Sequence, residues 1–148
     1  IDVPDGDVER EDVPVTYVPA RNLIFLSYAL GYAEVIGASK VYIGVNAVDY
    51  SGYPDCRPEF IQHFQSLADY ATKATAAEHK KITIETPLQD LSKKDIVLLA
   101  AKLKAPLQYT HSCYKGGEKA CGVCDSCKLR LKGFAEAGVE DPVEYEVR

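Results

Sequence analysis

Four of the five cysteines in this chain lie near its carboxyl end. Three of them form a Cys-x2-Cys-x2-Cys pattern, and one precedes that pattern by seven intervening residues. Cys-x2-Cys spacing lets two thiolates approach one tetrahedral ion from a tight turn, and four thiolates complete such a shell. The sequence therefore predicts a metal site formed by Cys113, Cys121, Cys124 and Cys127.

Zinc is the metal that this pattern favours. An iron-sulfur cluster is the alternative, because thiolates hold those as well. However, no proline follows Cys127, and a basic helix is predicted there instead. Four thiolates leave no open position on zinc, so we expect a structural ion that organises a loop and activates no water. His111 is a competing ligand, but the four cysteines already fill the shell.

The cysteine pattern also indicates a reducing compartment. An odd number of cysteines, with three of them packed close together, is poor geometry for a disulfide framework. No apolar run approaches the roughly 20 residues that span a bilayer, and residues 1–12 are acidic where a secretory signal is basic and then apolar. We therefore expect a cytoplasmic protein with no membrane partner. Residues 1–14 are expected to be a solvated loop that enters the domain, and the acidic tail after Gly138 is expected to pack loosely.

The net charge of −5 bears on nucleic acid partners. The field of such a chain repels phosphate, so nucleic acid would have to meet a local basic patch. A tight basic cluster directly follows the cysteine pattern and consists of Lys128, Arg130 and Lys132. A solvated helix face explains this cluster as well, and no direct nucleic acid partner is expected.

Hydrophobic spacing predicts a chain of alternating helices and strands. Apolar residues recur at helical spacing over 21–36, and the β-branched run at 40–45 is typical of a strand covered on both faces. Gly37 stands where a C-terminal cap of the first helix belongs. Further patterns predict a strand at 81–86 and helices at 59–77 and 93–104, the last with Ser92 as its N-cap. A helix leading into a buried strand is half of a βαβ repeat, so the predicted class is α/β with a parallel sheet. At 148 residues the chain is the size of one domain.

A turn-rich loop at 49–58 follows the predicted strand at 40–45. It combines turn formers with charged and aromatic side chains. In open α/β sheets, ligands bind at the carboxyl ends of the strands. The loop is therefore a candidate ligand site.

Five blocks of the sequence occur in the order and spacing seen in one enzyme family. The blocks are VPARNLIFL at 18–26, DYSGYPDCRPEF at 49–60, ETPL at 85–88, CY at 113–114 and CGVCDSCKLR at 121–130. On these blocks, from about residue 13 to about residue 138, the chain resembles the 7-cyano-7-deazaguanine synthase (preQ0 synthase) family of the N-type ATP pyrophosphatase superfamily.

The resemblance implies a fold and a division of the chain. The expected fold is a Rossmann-like (adenine nucleotide alpha hydrolase-like) parallel sheet, incomplete at the N-terminus, with a C-terminal zinc knuckle. Residues 1–110 would be the later part of the nucleotide-binding domain, and residues 111–148 the zinc-binding segment. Members of the family begin with a strand and a Ser-Gly-Gly-x-Asp-Ser phosphate loop, which this sequence lacks. The chain by itself is therefore expected to be inactive.

The resemblance also implies a reaction and its cofactors. The family converts 7-carboxy-7-deazaguanine and ammonia to the nitrile at the expense of ATP, with Mg²⁺, and the product feeds queuosine or archaeosine in tRNA. The carboxylate is activated, aminated to an amide, activated again and dehydrated. Structural Zn²⁺, small-molecule substrates and a homodimer are the expected cofactor and partners.

Three cations are assigned through this resemblance. Arg21 opens a helix, where backbone amides also attract anions, and Lys93 opens another, where a cation opposes the helix dipole unless it serves an anion. Both are expected to act on the transferring phosphates, as catalytic residues. Arg57 is assigned to substrate binding. A surface position is the alternative for Arg21, and Lys94 is the less favoured alternative to Lys93.

The turn-rich loop supplies the remaining assignments. Asp49 and Asp55 are expected to accept hydrogen bonds from the guanine-like edge of the substrate, although turn capping explains either one. Tyr53 is expected to stack on the flat ring, as is Tyr50, unless they are packing residues. Cys56 invites a nucleophilic role, but the sequence shows no base beside it and leaves its role open.

Two other functions fit the sequence. One is a homologue that uses adenylating or nitrile-forming chemistry on another target. The other is a non-catalytic zinc-knuckle module that binds RNA through the basic cluster at Lys128 to Lys132.

Overall fold

The computed structural model describes residues 2–7, 13–46 and 52–147. They form two compact units, one bounded as Tyr17–Asp90 and the other as Ile1–Thr16 with Leu91–Arg148. The first unit contains the sheet and the second contains the cysteine cluster. The functional division predicted at residue 110 stays a prediction.

The unit at residues 17–90 is an α/β layer. It contains helix α1 (Arg21–Ile36), strand β1 (Lys40–Tyr42), helices α2 (Pro58–Ala71) and α3 (Lys73–Ala76), and strand β2 (Thr83–Glu85). The two strands are parallel, with Val41 opposite Ile84. The class predicted from the sequence, α/β with a parallel sheet, is confirmed for the described residues.

Helix α1 has the predicted bounds, and its C-terminal cap is Gly37 at φ 68°. Glycine adopts this left-handed conformation at little cost. Leu26, Leu30 and Ala33 pack on the sheet, in one core with Val41 and residues of α2. The opposite side is also apolar but exposed, with Phe25, Tyr28, Tyr32 and Val35 each at least 63 % accessible.

The single helix predicted at 59–77 is two helices. Thr72 is extended, at φ −122° and ψ 159°, and begins α3 as its N-cap. Its hydroxyl accepts a hydrogen bond from the backbone N–H of Thr75 at 3.2 Å. A hydroxyl that caps a new helix favours this break, and periodicity alone does not detect it.

The second unit is built on two helices that pack against each other, α4 (Lys93–Lys102) and α5 (Asp125–Ala137). Ser92 caps α4 by accepting a hydrogen bond from the N–H of Asp95 at 3.2 Å, as the sequence predicted. A 3-10 turn at Leu107–Tyr109 precedes the cysteine loop. Among the described residues, no helix is both long enough and apolar enough to cross a membrane.

Candidate functional site

The four predicted cysteines come together in the second unit. Their sulfur atoms all lie within 4.8 Å of one another, and all four side chains are buried. The Sγ atoms of Cys121 and Cys127 are 3.9 Å apart, far beyond the roughly 2.05 Å of a disulfide. We call this group the four-cysteine centre.

The spacing of the sulfurs fits one tetrahedral ion. Zinc–sulfur bonds of about 2.3 Å place tetrahedral sulfurs about 3.8 Å apart. The observed 3.9 Å between Cys121 and Cys127 is close to that value. The donor set is all sulfur, because His111 lies outside the cluster, with its Nε2 3.0 Å from the carbonyl oxygen of Cys113. The centre can therefore hold a metal ion through thiolates alone.

Backbone N–H groups point at the sulfurs. The N–H of Cys121 donates to Sγ of Cys113 at 3.3 Å, and the N–H of Cys124 donates to Sγ of Cys121 at 3.4 Å. Burial opposes ionisation of Cys113, but the N–H groups of Cys121, Lys115 and Gly116 outweigh it and lower its pKa to about 6. Burial raises the pKa of Cys127. Four thiolates in one buried place repel one another, so a bound cation is needed to ionise them all.

The loop that carries the cysteines closes against the tail of the chain. Gly122 has φ +77°, and a Cβ atom there would lie 1.6 Å from the carbonyl oxygen of Val147. Ala120 accepts a hydrogen bond from the N–H of Glu146 at 2.8 Å, in a short parallel bridge to Tyr145. Only glycine at position 122 allows the backbone of Val147 to come this close to the cysteine loop.

The sequence suggested a loosely packed tail after Gly138, and this prediction is wrong. Asp141 is 4 % exposed, and its carboxylate accepts hydrogen bonds from Arg130 and from the hydroxyl of Tyr145. Gly6 also contacts the knuckle, because its N–H donates to the carbonyl of Val123 at 2.7 Å. The sequence shows these residues only as isolated charges and a glycine, so their partners could not be found from spacing.

Two of the three residues of the basic cluster bond within the unit. Arg130 pairs with Asp141, and Lys128 donates to the carbonyl of Gly6 at 2.7 Å. Lys132 lies 3.9 Å from Glu136 on the exposed side of α5. These contacts indicate that the basic cluster stabilises the second unit.

The other unit brings together several residues of the predicted substrate loop. Asp55 accepts a hydrogen bond from the backbone N–H of Asn22, with Oδ2 2.8 Å away. The guanidinium carbon of Arg21 lies 5.7 Å from the centre of the Tyr53 ring, and the Tyr17 ring lies 6.2 Å from the same ring. The start of α1 and the turn at 53–57 therefore form one local site.

The other predicted residues are placed as follows. Arg57 is exposed and begins α2 as its N-cap. Lys93 is half-buried at the first position of α4, so it lies in the other compact unit from Arg21. Cys56 is 3 % exposed within the core. Asp49 and Tyr50 lie outside the described residues.

Asn22 is a residue that the sequence reasoning missed. It is 9 % exposed, and its Nδ2 donates to the carbonyl of Asp55 and to Sγ of Cys56, each at 3.1 Å. An asparagine next to Arg21 in an otherwise apolar run was the available signal, because a buried amide needs partners.

Fold and site together define a small α/β protein whose described residues include a four-thiolate centre able to bind a metal ion. The family described as queuosine biosynthesis protein QueC matches residues 1–138. With that match over most of its length, the chain belongs to this family.

Three similar proteins are named 7-cyano-7-deazaguanine synthase. The chain is 62 % identical over 145 residues to the 7-cyano-7-deazaguanine synthase of Desulfitobacterium hafniense (strain DSM 10664 / DCB-2). That alignment covers 98 % of this chain and 61 % of that protein. The proteins of that name from Acetivibrio thermocellus and Thermoplasma acidophilum are 62 % and 57 % identical, over 100 % and 99 % of this chain and 66 % and 61 % of their own lengths. The chain thus spans about three-fifths of the length of these curated relatives.

Proposed function

We propose that the full-length protein containing this chain is an ATP-dependent ligase that forms 7-cyano-7-deazaguanine from 7-carboxy-7-deazaguanine and ammonia, in queuosine or archaeosine biosynthesis. The family match over residues 1–138 carries this proposal. Relatives named for this product, at 57 to 62 % identity, support it.

The sheet of this enzyme is proposed to be Rossmann-like, with residues 1–110 as the later part of the nucleotide-binding domain. The parallel pairing of β1 and β2 supports this, since parallel strands in open sheets present ligand sites at their carboxyl ends. The chain leaves β1 at Tyr42 and reaches Tyr53 before α2 begins.

The substrate ring is proposed to lie against Tyr53. An aromatic face binds a flat base with about 1–3 kcal/mol, and the turn at 53–57 already holds this ring beside Arg21. Asp49 and Arg57 are proposed to bond the edge and the carboxylate of the substrate. Asp55 stays a predicted substrate residue, although one of its oxygens is bonded to Asn22.

Two cations are proposed to serve the phosphates. ATP, bound with Mg²⁺, supplies the activation of the carboxylate. Arg21 offers several N–H donors to an anion, and Lys93 a compact charge at the start of α4. Fixed donors aimed at developing negative charge lower a barrier because they need no reorganisation.

Zinc is proposed as the ion of the four-cysteine centre, with a structural role. Four thiolates fill a tetrahedral shell, so no position remains for a reacting water. Residues 111–148 are proposed as the zinc-binding segment. The reduced thiols suit the cytoplasm, which we propose as the compartment. A homodimer without a direct nucleic acid or membrane partner stays our prediction.

Mass spectrometry of the reaction mixture tests the proposed function. The full-length protein is incubated with 7-carboxy-7-deazaguanine, ATP, Mg²⁺ and ammonia, and the nitrile is quantified. Tyr53→Ala is expected to raise the KM for the acid about tenfold, the loss of one stacked ring. Tyr70→Ala, on an 80 % exposed ring of α2, is the matched control and should leave KM unchanged. No nitrile from the wild-type protein overturns the proposal, and salt-dependent RNA affinity in its place would favour the RNA-binding module.

A further inference from the structure

A buried polar network joins the start of α1 to the turn at 53–57. Asn22 contributes its backbone N–H to Asp55 at 2.8 Å, and its side-chain amide to the carbonyl of Asp55 and the sulfur of Cys56. From the other side, Nε2 of Gln89 donates to the carbonyl of Cys56 at 3.2 Å. Asn22, Asp55 and Gln89 are each 9 % exposed, so these bonds form away from water.

The network replaces a missing helix cap. The residue before α1 is Ala20, in the left-handed conformation at φ 55° and with no side chain that can cap. The first N–H groups of a helix need acceptors. Asp55, which lies 33 positions after Asn22, supplies a carboxylate to the N–H of Asn22. The start of α1 is therefore stabilised by the turn at 53–57, and the turn is stabilised by the start of α1.

The same bonds hold the turn that carries the Tyr53 ring, which is proposed to meet the substrate. Arg21 directly precedes Asn22, and Tyr53 is bonded to the turn because its carbonyl accepts the N–H of Cys56 at 3.0 Å. The bonds of Asn22 to Asp55 and Cys56 thus support the distance of 5.7 Å between the guanidinium of Arg21 and the Tyr53 ring. Loss of the Asn22 side-chain amide would remove two of the bonds that hold the turn at Asp55 and Cys56, and would thereby loosen the ring.

We propose that Asn22 is a positioning residue for substrate binding, which holds the Tyr53 ring beside Arg21 through the Asp55–Cys56 peptide. This inference rests on the proposed function for the identity of the ligand. An amide is required at position 22, because aspartate would present an oxygen to the carbonyl of Asp55 and alanine would leave that carbonyl without this donor.

Hydrogen exchange tests the positioning step without any ligand. In full-length Asn22→Ala, the amides of Cys56 and Arg57 are expected to exchange at least tenfold faster than in the wild type. Gln65→Ala is the matched control: its side chain also bonds two backbone groups, the carbonyl of Ile82 just before strand β2 and the N–H of Ile84 within it. Equal exchange at Cys56 in Asn22→Ala and the wild type would overturn the inference. If Asn22→Ala does not fold, Asn22→Ser, which keeps a hydroxyl, is measured in its place.

Ligand binding tests the consequence. The Kd of 7-carboxy-7-deazaguanine is expected to rise at least tenfold in Asn22→Ala and in the isosteric Asn22→Asp, with the Kd of ATP within twofold of the wild type. Gln65→Ala should change neither Kd while lowering Tm. Equal losses for the acid in Asn22→Ala and Gln65→Ala would show a merely structural residue and reject the inference. A wild-type protein that does not bind the acid rejects the proposed function instead, and the exchange result then still decides whether Asn22 holds the turn.

Discussion

Arg130 and Asp141 form a buried ion pair with two hydrogen bonds, from Nε to Oδ2 at 2.7 Å and from Nη2 to Oδ1 at 2.8 Å. The Arg130 side chain is 13 % exposed and that of Asp141 is 1 % exposed. Nη1 of Arg130 also donates to the hydroxyl of Thr110 at 2.7 Å, and the hydroxyl of Tyr145 donates to Asp141 at 2.7 Å. One arginine of α5 thus connects the segment before the cysteine loop to the segment after α5.

Removing one member of this pair should destabilise the cysteine unit strongly. We expect Asp141→Asn to lower the free energy of unfolding by about 3 kcal/mol, because it leaves the buried guanidinium without its counter-charge. Urea unfolding of the metal-loaded protein measures this. Glu144→Gln is the control, since Glu144 pairs with Lys119 on the surface, at side-chain exposures of 76 % and 56 %. It should cost less than about 1 kcal/mol, and equal costs for both variants would contradict the prediction.

The same pair predicts a dependence of stability on pH. Burial opposes ionisation of Asp141, but hydrogen bonds from Arg130, Tyr145 and the N–H of Val143 outweigh it and hold its pKa below the usual 3.8. A carboxyl whose folded pKa is depressed contributes stability above its unfolded pKa and loses it as pH falls through the folded pKa. Between about pH 5 and pH 3, wild-type stability should therefore fall more steeply than that of Asp141→Asn. Parallel curves in urea titrations over this range would exclude this role.

The metal and the fold of the cysteine unit should be lost together. Cys124 is 0 % exposed, and metal binding at such a site is also folding free energy. We expect Cys124→Ser to lose the bound ion and the helical signal of this unit. Elemental analysis and circular dichroism measure the two losses. Cys56→Ala, which removes the cysteine outside the centre, should keep one metal ion per chain; a folded, metal-free Cys124→Ser would disprove the structural role.

Local patterns in the sequence predicted the elements that depend on local physics. The bounds of α1, its glycine cap and the Ser92 cap were predicted correctly, because periodicity and capping act within a few residues. The strands were predicted too long, at 40–45 and 81–86. The observed pairing covers three residues in each strand, and pairing depends on a partner that the pattern of one strand does not reveal.

The contacts that organise the site join residues distant in sequence. Asp55 was interpreted as a substrate residue or a turn cap, and its observed partner is the backbone of Asn22, 33 positions away. Arg130 was grouped with surface cations, and Asp141 with a loose tail. Spacing predicted the cysteine cluster because its four ligands lie within fifteen residues of one another in sequence, at a spacing typical of zinc sites. Nothing comparable marks a partner across the fold.

Gly133 should not tolerate a methyl group. A Cβ atom there would lie 2.8 Å from Cβ and 3.1 Å from the backbone carbon of Lys93, where α5 meets the start of α4. Overpacking costs about 1–3 kcal/mol, against a gain of about 1 kcal/mol for alanine over glycine in a helix. We expect Gly133→Ala to lower the urea midpoint. Gly31→Ala lies within α1, where an added Cβ would have no neighbour within 4 Å, and it should raise the urea midpoint. A rise in both variants would show that α4 shifts at little cost and would contradict the prediction.

Lys93 provides the most direct test of the proposed phosphate chemistry. It occupies the first position of α4, where a cation opposes the helix dipole and costs a few tenths of a kcal/mol unless it serves an anion. In the full-length protein we expect Lys93→Ala to lower kcat for nitrile formation by at least about 10²-fold, the loss of one electrostatic stabiliser. Lys94→Ala is the neighbouring control on an exposed side chain and should retain near-normal turnover. Near-normal turnover in Lys93→Ala would remove Lys93 from the mechanism, and the phosphate role would have to be given to another cation.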